Sequence, residues 1–226
     1  MTMRRLPAIK GVLFDLDGTL VDTAPDLVAA LNLALEEYGY PQVALSAIRD
    51  EASNGSMALV NAAQPHLDDV AQTQLQQALL KHYGQVNGQQ AIYFNGVKKL
   101  IDFLVAEQIP FGIVTNKAAC FARPLLHHLG LIPLMPAVVS GDSVRYTKPH
   151  PAPMLLAAQQ IGVNVAQILY LGDALRDLQA AQNSGMQGGI AQWGYIGQAD
   201  NSSEWPHDFS FDNPDEIIAL LKAKLK

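Results

Sequence analysis

The sequence is poor in cysteine and in basic residues. Cys120 is the single cysteine among 226 residues, so no disulfide can form within the chain, which fits a reducing compartment. We expect Cys120 to be a semi-buried helix residue and not a nucleophile. Lys and Arg total 15 against 21 Asp and Glu, a formal net charge of −6. This balance argues against nucleic acid or an anionic membrane as a partner, although a few local cations can still bind an anionic substrate.

Long hydrophobic runs are also missing. The longest apolar stretch, residues 131–139, contains Pro133 and Pro136 and is far too short to span a bilayer. Pro7 and Asp15 interrupt anything that resembles the apolar core of a signal peptide. We therefore expect a cytoplasmic protein without a membrane segment. Its length suits one large domain or two small ones, and the sequence carries no signature of a particular oligomeric state.

Beyond residue 95, short apolar runs alternate with helical patterns. Strands are predicted at residues 11–15, 110–115, 137–140, 167–172 and 187–191. Helices are predicted at residues 97–107, 118–129, 151–162, 174–184 and 215–225. Strands that alternate with helices indicate parallel crossover units, so the predicted fold class is α/β with a doubly wound parallel sheet.

Residues 22–89 have a different pattern. Helices are predicted at residues 26–38, 45–63 and 70–83, with no strand between them. This stretch is therefore predicted to be an all-helical insertion between the first strand and the rest of the sheet. The predicted division is a core made of residues 1–21 and 90–226 and an inserted helical domain made of residues 22–89.

Polar side chains follow four of the predicted strands. They are Asp15 and Asp17, Thr115 and Asn116, Lys148, and Asp173 with Asp177 one helical turn further on. Ligands of open α/β sheets bind outside the carboxyl ends of the strands. The fold is therefore expected to collect these side chains at one edge of the sheet.

Asp15 and Asp17 are one strand period apart, so both can face the same cleft before the chain turns at Gly18. One carboxylate can attack phosphorus and form an aspartyl-phosphate, while the other protonates the leaving oxygen and later deprotonates water. Oxygen ligands from Asp15 and Asp173 suit Mg²⁺. Lys148 and Thr115 would bind the remaining phosphoryl oxygens. The pattern predicts a Mg²⁺-dependent phosphomonoester hydrolase for a small phosphorylated metabolite.

The same residues resemble the four motifs of the haloacid dehalogenase superfamily. The matching segments are DLDGTLVDT (15–23), Thr115-Asn116, Lys148-Pro149 and GDALRD (172–177). The resemblance implies Asp15 as the nucleophile and Asp17 as the general acid and base. It implies Mg²⁺ bound by Asp15, the backbone carbonyl of Asp17 and Asp173, with Asp177 in support. Ala174 departs from the hydroxyl or acidic residue frequent at that position.

The insertion resembles the cap of phosphoglycolate-phosphatase-type enzymes. Residues 115–131 and 193–205 also resemble N-acetylmuramic acid 6-phosphate phosphatases. Phosphoglycolate is the leading substrate expectation and the amino-sugar phosphate the alternative. In the insertion, the candidate substrate residues are Arg49 and the turn at Ser53, Asn54, Gly55 and Ser56, which could equally be a plain interhelical turn.

Other functions stay open at this point. A sugar-phosphate mutase of the same fold would use the same motifs, and a catalytically inactive metabolite-binding protein is the non-enzyme alternative. Lys117, Arg123 and Arg176 are expected to be solvated helix residues, and residues 193–195 could line the cleft or pack on the core. His127, His128 and His150 lack the spacing of metal ligands and are expected to be structural or on the surface.

Overall fold

The computed structural model of the protein describes residues 6–197 and 200–224. Its strands are β1 (Gly11–Phe14), β2 (Val21–Asp22), β3 (Ile92–Tyr93), β4 (Phe111–Val114), β5 (Ala137–Val139), β6 (Ile168–Gly172), β7 (Gln187–Ala191) and β8 (Phe209–Phe211). Six strands form one parallel sheet in the order β5-β4-β1-β6-β7-β8. This confirms the predicted α/β fold with a parallel sheet.

Strand β1 lies inside the sheet, with Phe14 opposite Ile113 of β4 and opposite Leu171 of β6. All of its residues are buried. Val12 and Phe14 belong to one hydrophobic cluster and Leu13 to another, because successive side chains of a strand point to opposite faces. Helices cover both faces, which is why β1 is a continuous apolar run without polar alternation.

The helices are α1 (Ala24–Glu37), α2 (Leu45–Ile48), α3 (Ser56–Ala63), α4 (Asp69–Val86), α5 (Val97–Ala106), α6 (Ala119–His128), α7 (Ala152–Ile161), α8 (Leu175–Ser184) and α9 (Pro214–Lys224). Most lie within a few residues of their predicted positions. The predicted end of the last helix, residue 225, lies outside the described residues, as do residues 198 and 199 of the segment 193–205. Among the described helices, none combines the length and apolar character needed to cross a membrane. The cytoplasmic location stays a prediction.

The stretch from α1 to α4 contains helices and no strand, and the structure describes all of it. These helices share their own hydrophobic cluster, which includes Leu31, Leu59 and Leu79 and is distinct from the clusters on the sheet. The stretch is called the helical segment below. Its status as a separate domain, with residues 1–21 and 90–226 as the core, stays a prediction.

The helix predicted at residues 45–63 is wrong in one respect, because it is broken. After α2 the chain forms a 3₁₀ helix at Arg49–Asn54, and Gly55 has φ of +91°. That conformation is open to glycine and strained for other residues. The break turns Ser53 and Asn54 toward the sheet.

Two strand pairings were not predicted. β2 and β3 form a two-stranded antiparallel ribbon where the chain enters and leaves the helical segment, with Val21 opposite Tyr93. β8 adds a sixth, parallel strand at the sheet edge beside β7. Strands of two or three residues are too short to show the alternation by which strands are recognised in a sequence.

Candidate active site

The predicted polar residues meet at the carboxyl edge of the sheet. Backbone bonds fix their positions, since Asp15 N donates to Leu171 O at 2.8 Å and Thr115 N donates to Val139 O at 2.9 Å. A cavity of about 380 Å³ opens here between the sheet and the helical segment. It is lined by Asp15, Asp17, Leu27, Ala52, Ser53, Asn54, Gly55, Ser56, Leu80, Tyr83, Thr115, Asn116, Lys117, Ala118, Phe121 and Arg176.

Lys148 lies between two carboxylates. Its Nζ is 2.9 Å from Asp15 Oδ1 and 2.7 Å from Asp177 Oδ1, and its side chain is 1% exposed. It also donates to the Tyr170 hydroxyl at 2.8 Å. Asn116 positions the lysine backbone, because its Oδ1 accepts from Lys148 N and its Nδ2 donates to Lys148 O. The ammonium therefore holds the Asp15 carboxylate and offsets its charge in a buried setting.

Asp17 has a different set of partners. Its Oδ1 accepts hydrogen bonds from Thr23 Oγ1 and, at 2.9 Å, from Lys117 Nζ. The expectation that Lys117 is a solvated helix residue is wrong, since its side chain is 8% exposed and it precedes α6. The ammonium also lies 4.5 Å from the centroid of the Tyr83 ring. Burial disfavours the charged form of Lys117, but Asp17 and Tyr83 together outweigh burial and raise the lysine pKa.

Three buried carboxylates form a candidate cation site. Oxygens of Asp15, Asp173 and Asp177 all lie within 4.8 Å of one another. Burial, and then the negative charges of Asp177 and Asp15, raise the pKa of Asp173 to about 7. An all-oxygen, negatively charged donor set fits a hard divalent cation such as Mg²⁺, which would relieve this repulsion. Asp177 thus lies close enough to Asp15 and Asp173 to be a cation ligand itself.

Hydrogen bonds surround Asp173. Its Oδ1 accepts from Thr19 Oγ1 at 2.9 Å, and its Oδ2 accepts from Ser53 Oγ at 2.7 Å and from Tyr195 N at 3.0 Å. Ser53 Oγ also lies 3.5 Å from the Asp17 carbonyl oxygen. Ala174, which precedes α8, donates its backbone N–H to Asp177 Oδ2 at 3.1 Å, so Asp177 also caps the start of its own helix.

The structure separates the candidate substrate residues. Ser53, Asn54, Gly55 and Ser56 line the cavity. Arg49 is not among the lining residues, because it forms an ion pair of 2.7 Å with Asp22 and lies over the Tyr195 ring.

Arg176 was expected to be a solvated helix residue, which is wrong. It lines the cavity from α8 and donates to Ser53 O and, at 3.4 Å, to Asn54 Oδ1. Arg123, His127, His128 and His150 are exposed, as expected. Cys120 lies in α6 but is exposed and not semi-buried, so that expectation is wrong.

Tyr83 was missed as a site residue, whereas Tyr195 lies in the segment 193–195 that was expected either to line the cleft or to pack on the core. Tyr83 reaches the cavity from α4, and no local pattern distinguishes it from a core aromatic. Tyr195 is buried, and its hydroxyl accepts from Thr23 N and Ala24 N and donates to Asp22 Oδ1. The Trp-Gly-Tyr triplet after β7 was the available signal. Tyr195 holds the start of α1 against the site.

The chain is similar to several known proteins. The family model described as haloacid dehalogenase-like hydrolase matches residues 12–190. A phosphoglycolate phosphatase of Xanthomonas campestris pv. campestris is 39% identical over 208 residues, covering 92% of this chain and 94% of that protein. An N-acetylmuramic acid 6-phosphate phosphatase of Pseudomonas aeruginosa is 35% identical over 224 residues, covering 99% of both chains.

A solved structure is similar as well. The crystal structure of a predicted phosphoglycolate phosphatase from Haemophilus somnus 129PT superposes with a TM-score of 0.83 and 28% identity, covering 94% of this chain and 97% of that one. The family match spans the first strand, the helical segment and the strands that carry the site. The chain therefore belongs to the haloacid dehalogenase-like hydrolase family.

Proposed function

We propose that the protein is a Mg²⁺-dependent phosphomonoesterase that acts through an aspartyl-phosphate on Asp15. The observation that carries this proposal is the Lys148 ammonium, which lies 2.9 Å from Asp15 Oδ1 beside the cluster of Asp15, Asp173 and Asp177. A buried nucleophilic carboxylate, a fixed cation and an oxygen-rich cation site are the parts that phosphoryl transfer needs.

The hydrogen bonds support a proposal for which carboxylate oxygens react. Asp15 Oδ1 accepts from Leu16 N at 2.7 Å and contacts Lys148, so Oδ2 is the oxygen that attacks phosphorus. Asp17 Oδ1 is likewise held by Thr23 and Lys117, so its Oδ2 transfers the proton. The Oδ2–P bond of Asp15 forms as the ester P–O bond breaks, and the leaving oxygen takes the Asp17 proton. Asp17 then removes a proton from water, which attacks phosphorus and releases inorganic phosphate and the Asp15 carboxylate.

Asp15, the Asp17 carbonyl and Asp173 would hold the cation, with Asp177 close enough to join or support them. When bound, Mg²⁺ neutralises the charge that builds up on the phosphoryl oxygens. Thr115 and Asn116 line the cavity beside Asp15 and are proposed to contact the phosphoryl group together with Lys148. Lys148 is buried and is not among the residues that line the cavity, so its proposed contact with the phosphate is supported by its position beside Asp15.

We also propose that the helical segment is a cap over the cavity. Its separate hydrophobic cluster and the contacts of Ser53 with Asp173 and the Asp17 carbonyl support this. A cap that covers the cavity excludes water and meets the alcohol part of the ester, so specificity would reside there.

Phosphoglycolate is the leading substrate in this proposal, since relatives along nearly the full chain carry that name. The amino-sugar phosphate, N-acetylmuramic acid 6-phosphate, is the second candidate because of the Pseudomonas aeruginosa relative. The cavity volume of about 380 Å³ lies within the range of small-molecule pockets, which begins at about 300 Å³, and fits a small phosphate ester of either kind.

The test measures inorganic phosphate release from both esters and from a generic aryl phosphate, with Mg²⁺ present. The expected result is release from at least one metabolite at a kcat/KM above that for the aryl phosphate, and no release by Asp15→Asn. Transfer of the phosphoryl group back to a sugar without phosphate release would identify a mutase. An Asp15→Asn variant with wild-type turnover would contradict the mechanism.

A further inference from the structure

The cavity is lined by two cationic side chains with different surroundings. Lys117 is compensated by Asp17, whose Oδ1 lies 2.9 Å from its ammonium. Arg176 has no carboxylate within ion-pair distance in the part of the chain that the structure describes. Its hydrogen-bond acceptors are neutral, the Ser53 carbonyl and the Asn54 side-chain amide. Asp177, Asp15 and Asp173 act on the guanidinium only from beyond ion-pair distance. A partly buried cation that faces a cavity and has no carboxylate in direct contact suits an anionic ligand.

Arg176 also lies in the right place to meet the alcohol part of an ester. It belongs to α8, which follows strand β6 of the sheet, but its guanidinium donates hydrogen bonds to Ser53 and Asn54 of the helical segment. It therefore sits where the two parts of the molecule meet. In the proposed function the phosphoryl group lies beside Asp15 and Thr115, whereas the hydrogen bonds of Arg176 within the described residues go to Ser53 and Asn54.

The geometry of the guanidinium favours a carboxylate. Nη1 is 3.4 Å from Asn54 Oδ1, a long and weak hydrogen bond that a better acceptor can replace. A planar guanidinium binds a carboxylate through two parallel N–H···O bonds, which an ammonium cannot match. Arg49, which belongs to the helical segment, is already paired with Asp22. The cation available to a substrate carboxylate is thus Arg176.

We propose that Arg176 binds a carboxylate on the leaving group and so selects phosphate esters of hydroxy acids. This inference rests on the proposed phosphatase function and adds a specificity-determining residue to it. Ser53 and Asn54 would hold the guanidinium in place before the ester binds. The carboxylate then takes the position of the weakly bound Asn54 amide, and the bond to the Ser53 carbonyl keeps the arginine oriented.

The kinetic test compares two esters of similar size, 2-phosphoglycolate and ethyl phosphate, which lacks the carboxylate. Arg176→Gln is expected to lower kcat/KM for 2-phosphoglycolate by about 10- to 100-fold, mostly through KM, and to leave ethyl phosphate within about threefold. Arg176→Lys should recover part of the loss, because it keeps the charge but not the paired donors. Arg123→Gln, on the exposed face of α6, is the matched control and should change neither ester.

A binding arm separates this proposal from the proposed function. In the Asp15→Asn background, calorimetry measures the Kd of each ester with and without Arg176→Gln. Weaker binding of 2-phosphoglycolate alone supports the inference, whatever the turnover of the wild-type protein. Equal losses for both esters, or no loss for either, would overturn it. Absence of phosphate release by the wild-type protein would instead count against the phosphatase function.

Discussion

The Ser53 hydroxyl donates a 2.7 Å hydrogen bond to Asp173 Oδ2, although the two residues are 120 positions apart in the chain. The bond connects the helical segment with the carboxylate cluster at the sheet edge. Because this donor stabilises the ionised form, it lowers the pKa of Asp173, whereas burial and the charges of Asp177 and Asp15 raise it to about 7. Any change at Ser53 should therefore affect how Asp173 holds a proton or a cation.

The first prediction concerns pH. The folded-state pKa of Asp173, about 7, lies above its usual value of 3.8, so the folded metal-free protein binds the extra proton between those values. This group's contribution to stability therefore falls as pH rises toward about 7 and is lowest above it. In chelator, the Tm advantage of Asp173→Asn over wild type should be larger at about pH 8 than at about pH 5.

Ser53→Ala should extend this behaviour, because it removes a bond that lowers the Asp173 pKa. The Mg²⁺-induced rise in Tm should then begin at a higher pH than in wild type, since a proton competes with the cation for longer. Ser203→Ala, in an exposed part of the chain, is the matched control. A Ser53→Ala titration that superposes on the wild-type one would contradict the link between the two residues.

A second prediction concerns the acid. Asp17→Asn removes the proton donor but keeps the shape of the side chain. A good leaving group needs little protonation, so Asp17→Asn should slow hydrolysis of an aryl phosphate less than hydrolysis of an alkyl phosphate. The loss of kcat should be larger for the alkyl ester by about tenfold or more. The measurement is kcat for a series of esters with leaving groups of different acidity. Equal losses across the series would argue against Asp17 as the acid.

Lys148→Ala should affect both stability and turnover. It leaves Asp15 and Asp177 without their shared cation in a buried site, which is expected to cost about 3–5 kcal/mol in free energy of unfolding. Urea denaturation measures this, with exposed Lys222→Ala as the control. The loss in free energy of unfolding should be smaller in Mg²⁺ than in chelator, because the bound cation offsets part of the repulsion between Asp15 and Asp177. A stability change that Mg²⁺ does not alter would mean that the cation binds elsewhere.

The last prediction concerns the metal. Chelation should abolish phosphate release and Mg²⁺ should restore it, while Asp173→Ala should raise the Mg²⁺ concentration needed for half-maximal rate. Ca²⁺ should inhibit, because its larger and looser coordination shell misplaces the attacking carboxylate. Phosphate-release rates at graded metal concentrations test this. Full activity in excess chelator would disprove the assignment of Asp15, Asp173 and Asp177 as a cation site.

The sheet and its polar edge were predictable because buried parallel strands are continuous apolar runs. Each run ends in a polar residue, as at Asp15 and Asp173, and the topology then brings these residues together. An interhelical turn at residues 53–56 was one of two interpretations of the sequence, but periodicity did not show the 3₁₀ helix at Arg49–Asn54, since apolar residues on both sides keep a helical pattern through it. A single glycine, Gly55, is a weak signal of such a break.

The burial of Lys117 and Arg176 was also not predictable from the sequence. Each occupies a position that, from local sequence, resembles a solvated one. Their burial depends on residues far along the chain: Tyr83 and Asp17 for Lys117, and Ser53 for Arg176. Local patterns describe how a residue relates to its own helix or strand, and contacts between distant segments are fixed only when the chain folds.

The antiparallel ribbon of β2 and β3 bears on whether the helical segment can be exchanged. Because Asp22 pairs with Ile92, the chain leaves the sheet and returns to it at adjacent points. We therefore expect the register of the six-stranded sheet to be independent of the stretch between these points. An exchange of that intervening stretch for another compact helical unit would alter which alcohols the pocket accepts and leave the strand ends in place. In a chimaera joined at the ribbon, the parent that supplies the helical segment should set the substrate selectivity. The parent that supplies the sheet should set the reaction.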